Sequence, residues 1–186
     1  MRGERGKAAA TFCEETAMTE TVPPADALAE AVLVETTGSG RFQVEAHARG
    51  SVFLVDEPVA FGGLGTGPNP YDLISMALGS CTAMTVRLYA ERKQWPLDKV
   101  RVRVVHIRGT LKARDRFERE IDLRGALDDT QRARLMEIAM RCPVHLTLER
   151  GADVLTTQAP PDVATGPGEG GQHKRHMIEA CEEPLG

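Results

Sequence analysis

The chain has 186 residues, with 23 Lys plus Arg against 27 Asp plus Glu for a net charge of -4. That length suits one domain with loose ends, and that charge excludes a general polyanion binder unless a basic patch is concentrated locally. Hydrophobic residues reach 41% while aromatics make up only 4%, so the core has to be built from Val, Leu, Ala, Ile and Met, as in a globular rather than a disordered chain. No run approaches the roughly 18 consecutive apolar residues of a membrane span, and the polar start lacks the apolar block of a signal peptide. A cytoplasmic protein without a membrane partner is expected.

Residues 1–28 mix charge, Ala, Thr and Pro without a period and read as a disordered arm; residues 159–186, with Pro160-Pro161 and a glycine run, read as a flexible tail. The domain expected between them, 29–158, opens with strands at Ala31–Glu35 and Arg41–Ala46 around a Gly38/Gly40 turn, and a third at Ser51–Val55. The loop Phe61-Gly62-Gly63-Leu64-Gly65-Thr66-Gly67-Pro68 invites comparison with phosphate-binding loops. It fails: Pro68 stands where a dinucleotide fingerprint needs glycine, and no Gly-Lys-Ser/Thr follows.

Asn69-Pro70-Tyr71-Asp72 is a helix start, with Asn as N-cap, Pro at the first position and Asp in the first turn. The helix it opens runs to about residue 93, with Leu73, Ala77, Cys81, Met84 and Leu88 along one stripe and Ile74, Leu78 and Val86 on other faces, so it is expected to be buried on several sides. Pro96 ends it. Val100–Ile107 is a strand whose apolar phase reverses at Val105, implying a bulge or burial on both faces, and Phe117–Leu123 is a second. The basic residues between Lys99 and Arg119 read as a solvated strand face, and Phe117 alone offers no stacking platform for nucleic acid. Asp128-Asp129-Thr130-Gln131 is a capping box for a helix with the stripe Leu135, Ile138, Ala139 and Cys142. Pro143 starts a further short helix with Cys142 as its N-cap, and Val154–Thr157 reads as a last strand.

The four cysteines, Cys13, Cys81, Cys142 and Cys181, contain no Cys-x-x-Cys pair and are too sparse for a disulfide scaffold. Cys81 on a buried face is by itself a small hydrophobe with an inert thiol. Cys142, before Pro143, lies where helix N-terminal amides favour a thiolate. Two cysteines pointing into the core from two helices are the minimum equipment for a nucleophile and a resolving thiol. His145 stands three residues beyond Cys142, yet no further ligands complete a metal site, so neither a metal nor a cofactor is expected. His173, His176 and Cys181 fall in the expected tail.

The run from Gly67 to Thr82, followed 61 residues after Cys81 by Arg141-Cys142-Pro143-Val144-His145, resembles the OsmC/Ohr family of osmotically inducible and organic hydroperoxide resistance proteins. The resemblance spans about residues 30–158. Asp56-Glu57-Pro58 and Cys81-Thr82-Ala83-Met84-Thr85 liken the chain to an OsmC-like branch apart from the classical peroxidases. The resemblance implies an α+β fold with antiparallel sheets packed around a long central helix, and an intertwined homodimer with sites at the subunit interface. It also implies a thiol peroxidase: Cys81 attacks an organic hydroperoxide and becomes a sulfenic acid, Cys142 condenses with it, and a dithiol of lipoyl type restores both.

In the family an arginine of the first hairpin provides the cation that ionises the thiol, and Arg41 is the closest match here, the alternative being an exposed turn arginine. The same comparison leaves a departure: the classical glutamate after the Asn-Pro step is Tyr71. Glu57 and Asp72 are the carboxylates near enough in sequence to substitute, although Asp72 reads first as a helix cap. The alternative is a redox-silent relative that binds a small apolar ligand at the dimer interface.

Overall fold

The computed structural model describes residues 32–48, 51–110, 112–158 and 172–182. The arm at 1–28, Cys13 with it, lies outside them. Strands β1 (Leu33–Thr36), β2 (Val44–Ala48) and β3 (Ser51–Val55) form an antiparallel meander. The second strand begins at Val44 rather than Arg41 because the turn runs on through Phe42. In this register Val34, Ala46 and Phe53 stand side by side, as do Thr36, Val44 and Val55, which makes one face apolar.

The glycine-rich loop that follows is folded around a carboxylate. Asp56, 2% exposed, accepts hydrogen bonds from the backbone N–H groups of Glu57, Leu64 and Thr66 and from the Thr66 hydroxyl. Burial works against its charge, but these donors together hold its carboxyl below the usual aspartate value. Gly67 closes the loop against β3, where a Cβ would lie 2.0 Å from the Leu54 carbonyl oxygen. Only glycine fits that approach, and it delivers the chain to the cap of the next helix.

Helix α1 (Pro70–Arg92) starts where the sequence places it. The Asn69 side chain accepts from Tyr71 and Asp72 N–H, and the Asp72 carboxylate accepts from Asn69 N–H. Its buried residues are Leu78, Cys81, Thr82, Thr85, Val86, Tyr89 and Ala90, whereas Ala77 and Met84 of the expected stripe are exposed. The seam is displaced because two threonines turn inward: Thr82 and Thr85 donate to the carbonyls of Leu78 and Cys81 at 2.7 and 2.8 Å, which removes the cost of burying a hydroxyl. Among the described residues α1 is the one helix long and apolar enough to cross a membrane. Its apolar content is partly accounted for by packing on the following hairpin and helices.

Strands β4 (Leu97–Ile107) and β5 (Arg116–Gly125) pair antiparallel and carry α1 on one face. Val100, Val102, Val104 and His106 of β4 stand opposite Leu123, Ile121, Arg119 and Phe117 of β5, so all eight share a face. The phase reversal at Val105 is burial on both sides; the register shift lies at Leu97/Lys99 instead. On the other face Arg101 stands opposite Asp122 and Arg103 opposite Glu120, so acids of β5 offset much of the basic run.

Helix α2 (Asp129–Ala139) has the expected capping box, and α3 (Pro143–Arg150) has Cys142 as its N-cap. Leu135, Ile138 and Ala139 of α2 form the main core with Val86, Tyr89 and Ala90 of α1 and with Leu123 and Leu127. Two sequence readings are corrected. Val154 and Leu155 are in no strand and are 86% and 93% exposed, since no strand among the described residues pairs with them. Residues 172–182, expected to be tail, form helix α4 (Gln172–Glu182), which packs on α3 and α1 through buried Met177 and Ala180. Its apolar residues are too few to show against the surrounding glycine-rich composition, and tertiary contact supplies what periodicity lacks.

Candidate functional site

A second, smaller core contains Leu78, Cys81 and Cys142, with Val104, Phe117, Val144 and Leu148 packed around it. Cys81 comes from the middle of α1 and is 1% exposed; Cys142, between α2 and α3, is 0% exposed. The two thiols lie in one buried cluster. Both also face the start of α3. Val144 N–H donates to the Cys81 sulfur and His145 N–H to the Cys142 sulfur, each at 3.4 Å. The sequence offers Cys81 no help from the terminus of its own helix; the fold brings it the terminus of another.

The environments differ enough to divide the charge. Cys142 lies 3.5 Å from the Thr82 hydroxyl and 3.8 Å from an N–H of the Arg119 guanidinium, which also donates to Thr82 at 2.6 Å. The neighbouring Cys81 thiol, assisted by Thr82, the His145 amide and the Arg119 charge, lowers the Cys142 pKa against the effect of burial. Cys81 moves the other way, raised first by the neighbouring Cys142 and then by burial.

Arg41 is not among these groups. It lies exposed, its guanidinium 5.9 Å from the centre of the Phe42 ring, and among the described residues Arg119 is a cation beside the Cys142 sulfur. The signal for Arg119 is present in the sequence: in the alternating run Phe117, Arg119, Ile121 and Leu123 it occupies an inward register. Asp72 serves as the cap, and Glu57 lines a cavity of about 590 Å³ with Tyr71 and Asp72. Neither carboxylate touches a cysteine. Tyr71 stacks on His106 at 4.4 Å between ring centres, His106 stacks on Phe117 at 4.7 Å, and Arg108 donates to the Tyr71 hydroxyl. Tyr71 is therefore a packing residue of this site's flank. A further cavity of about 340 Å³ opens against side chains that pack around the thiol pair, lined by Leu78, Phe117, Arg119, Met140, His145 and Glu149 among others, with neither cysteine in its wall. His145 lies 3.5 Å from Glu149, Cys181 packs against the main core, and no cluster able to hold a metal occurs among the described residues.

The model of the OsmC-like protein family matches residues 63–157, which include both cysteines and the elements that join them. The chain belongs to the OsmC-like family. No curated protein sequence matches it. Two solved structures share the fold of this OsmC-like chain. One is an osmotic stress induced and detoxification response protein from Psychrobacter arcticus 273-4, with 21% identity, 62% of this chain and 85% of that one covered, and a TM-score of 0.55. The other is an OsmC-like protein from Mycoplasma pneumoniae, with 18% identity, 65% and 87% covered, and a TM-score of 0.56. A weaker similarity, with a TM-score of 0.48, 17% identity and 65% and 91% covered, is to the organic hydroperoxide resistance protein OhrB of Bacillus subtilis.

Proposed function

We propose that this OsmC-like chain is a cytoplasmic thiol peroxidase that reduces organic hydroperoxides through a Cys81 sulfenic acid and a Cys81–Cys142 disulfide, with a dithiol as reductant and no bound cofactor. The observation that carries this reading is a pair of buried cysteines from separate elements packed in one cluster, each sulfur accepting an amide hydrogen bond from the start of α3. Thiols packed together this way are placed to join once one of them is oxidised. The adjoining cavity is mostly apolar, which suits an organic rather than an inorganic peroxide. A redox-silent binder of an apolar ligand would account for the cavity but leaves the thiol pair without a use.

The test is oxidation by one equivalent of cumene hydroperoxide, followed by non-reducing peptide mapping. A Cys81–Cys142 bond is expected, with Cys13 and Cys181 free. Cys81 driven to sulfinic acid while Cys142 stays untouched defeats the resolving role.

A homodimer belongs to the same proposal. Val34 and Phe53 on the apolar face of the first sheet are 54% and 40% exposed, and Met76 and Met84 on α1 are 56% and 52% exposed. Apolar surface spread over a sheet and a helix is what a second copy of this chain would cover. Light scattering is expected to give twice the chain mass, and Phe53→Asp to shift the protein toward monomer at micromolar concentration. A wild-type monomer at that concentration overturns the dimer.

A further inference from the structure

Helix α4 lies beyond the segment matched by the family model, which ends at residue 157, and it docks on the two helices that carry the thiol pair, α1 with Cys81 and α3 with Cys142 as its N-cap. Its inward stripe is His173, Met177, Ala180 and Cys181, at i, i+4, i+7 and i+8, with Met177 and Ala180 buried and the other two half-buried. Cys181 reaches the main core, and Glu182 lies 3.4 Å from Arg92 at the end of α1. On the α3 side, Pro143, Leu146, Thr147 and Arg150 face His176 and Ala180 across a cavity of about 260 Å³.

Helix α3 is thereby held from two sides. Val144 and Leu148, one turn apart, pack into the thiol cluster, whereas Pro143, Leu146, Thr147 and Arg150 make the stripe that faces α4. With 8 residues in α3 and 11 in α4, both fall short of the roughly 12–15 at which a helix persists alone, so each depends on its packing. The first turn of α3 supplies the Val144 and His145 amides that donate to the two sulfurs. Cys81 is 1% and Cys142 0% exposed, and neither lines the cavities beside α3, so an outside molecule meets a sulfur only when part of this packing opens. We infer that α4 is a clip on α3: the two short helices open and close as one unit, and undocking of α4 is what bares Cys142 and Cys81 to reagents from solution.

The rest of the domain can stay packed while this unit parts from it. The main core, built on Val86, Leu135 and Ile138, contains no residue of α3 and meets α4 through Cys181. The far end of α3 is also untied: the helix stops at Gly151, whose φ is +83°, and Val154 and Leu155 beyond it are exposed and in no strand. The use of the clip rests on the proposed peroxidase, where the dithiol reductant has to reach the Cys81–Cys142 bond. Its thiolate attacks one sulfur, the S–S bond breaks, and the other cysteine leaves as a thiolate that takes up a proton. The second thiol of the reductant then gives up its proton and displaces the remaining protein sulfur, which ends both cysteines reduced and the reductant oxidised to its own disulfide.

Native-state hydrogen exchange and iodoacetamide labelling at fixed pH, both on the reduced full-length chain, read the opening without any turnover. Where reclosing outpaces labelling, the labelling rate tracks the open population. In the wild type the amides of α3 and α4 are expected to exchange through one shared opening at low urea, before those of Leu135 and Ile138. Met177→Asp, which puts a carboxylate on the docked face, is expected to speed labelling of Cys181 and Cys142 and exchange of the α3 amides by at least about tenfold, while Leu135 and Ile138 keep their protection. Met177→Ala is expected to act in the same direction by less. Faster labelling of Cys181 with Cys142 and α3 unchanged overturns the clip, as does an unprotected α4 in the wild type, or a loss of protection shared equally by Leu135 and Ile138. Absence of hydroperoxide consumption with these exchange results in place would instead refute the proposed function alone.

Discussion

Cys81→Ser is expected to abolish dithiol-dependent consumption of cumene hydroperoxide, a loss of at least about three orders of magnitude, as for removal of a covalent nucleophile. Serine keeps the size of the side chain and its place in the small core of Leu78 and Cys142, so the fold should survive. What disappears is the sulfur that takes the oxygen. Cys142 keeps its contacts with Thr82, Arg119 and the His145 amide, which makes the variant a clean test of which sulfur reacts. Cys142→Ser differs in kind: one turnover to a Cys81 sulfenic acid is expected, then a halt, detectable by trapping with dimedone. Undiminished hydroperoxide consumption by Cys81→Ser ends the peroxidase reading.

The second large effect is on stability and reaches the site through packing. Leu135 is fully buried between α2 and α1, in one cluster with Val86, Tyr89 and Ile138. Leu135→Ala should cost about 3 kcal/mol, the lost transfer energy plus the cavity left behind. Urea unfolding at matched chain concentration measures it, since the stability of the proposed dimer would depend on concentration. The same contact holds the end of α2 against α1, and Cys142 follows that end directly. Slower disulfide formation after one equivalent of hydroperoxide should therefore accompany the lost stability. A loss below about 1 kcal/mol would mean that the site can collapse around the cavity, and that α2 is anchored elsewhere.

Local signals carried much of the architecture because their physics is local. Asn69-Pro70 and Asp128-to-Gln131 cap helices by bonding to amides two or three residues away, so composition is enough to read them. Cys142 before Pro143 fixes an N-cap for the same reason. The family resemblance then joined Cys81 to Cys142 across 61 residues, a pairing that no periodicity states.

What the tertiary structure alone decided concerns groups whose partners lie far along the chain. Arg119 belongs to a run of basic residues in sequence and to a thiol pair in space; the alternation of β5 places it inward, and only the pairing of β5 with β4 beneath α1 sets it against Cys142. Thr82 and Thr85 read as polar but go inside, because the helix carbonyls that satisfy them become useful once the seam is chosen by packing. Arg41 belongs to the first hairpin and lies exposed over the Phe42 ring, since a hairpin turn does not say what the hairpin will face. Helix α4 exists because α1 and α3 offer it a surface. Capping and turn chemistry are fixed within a few residues; the ionisation of a buried thiol depends on a sum of distant donors and charges, and only the folded chain performs that sum.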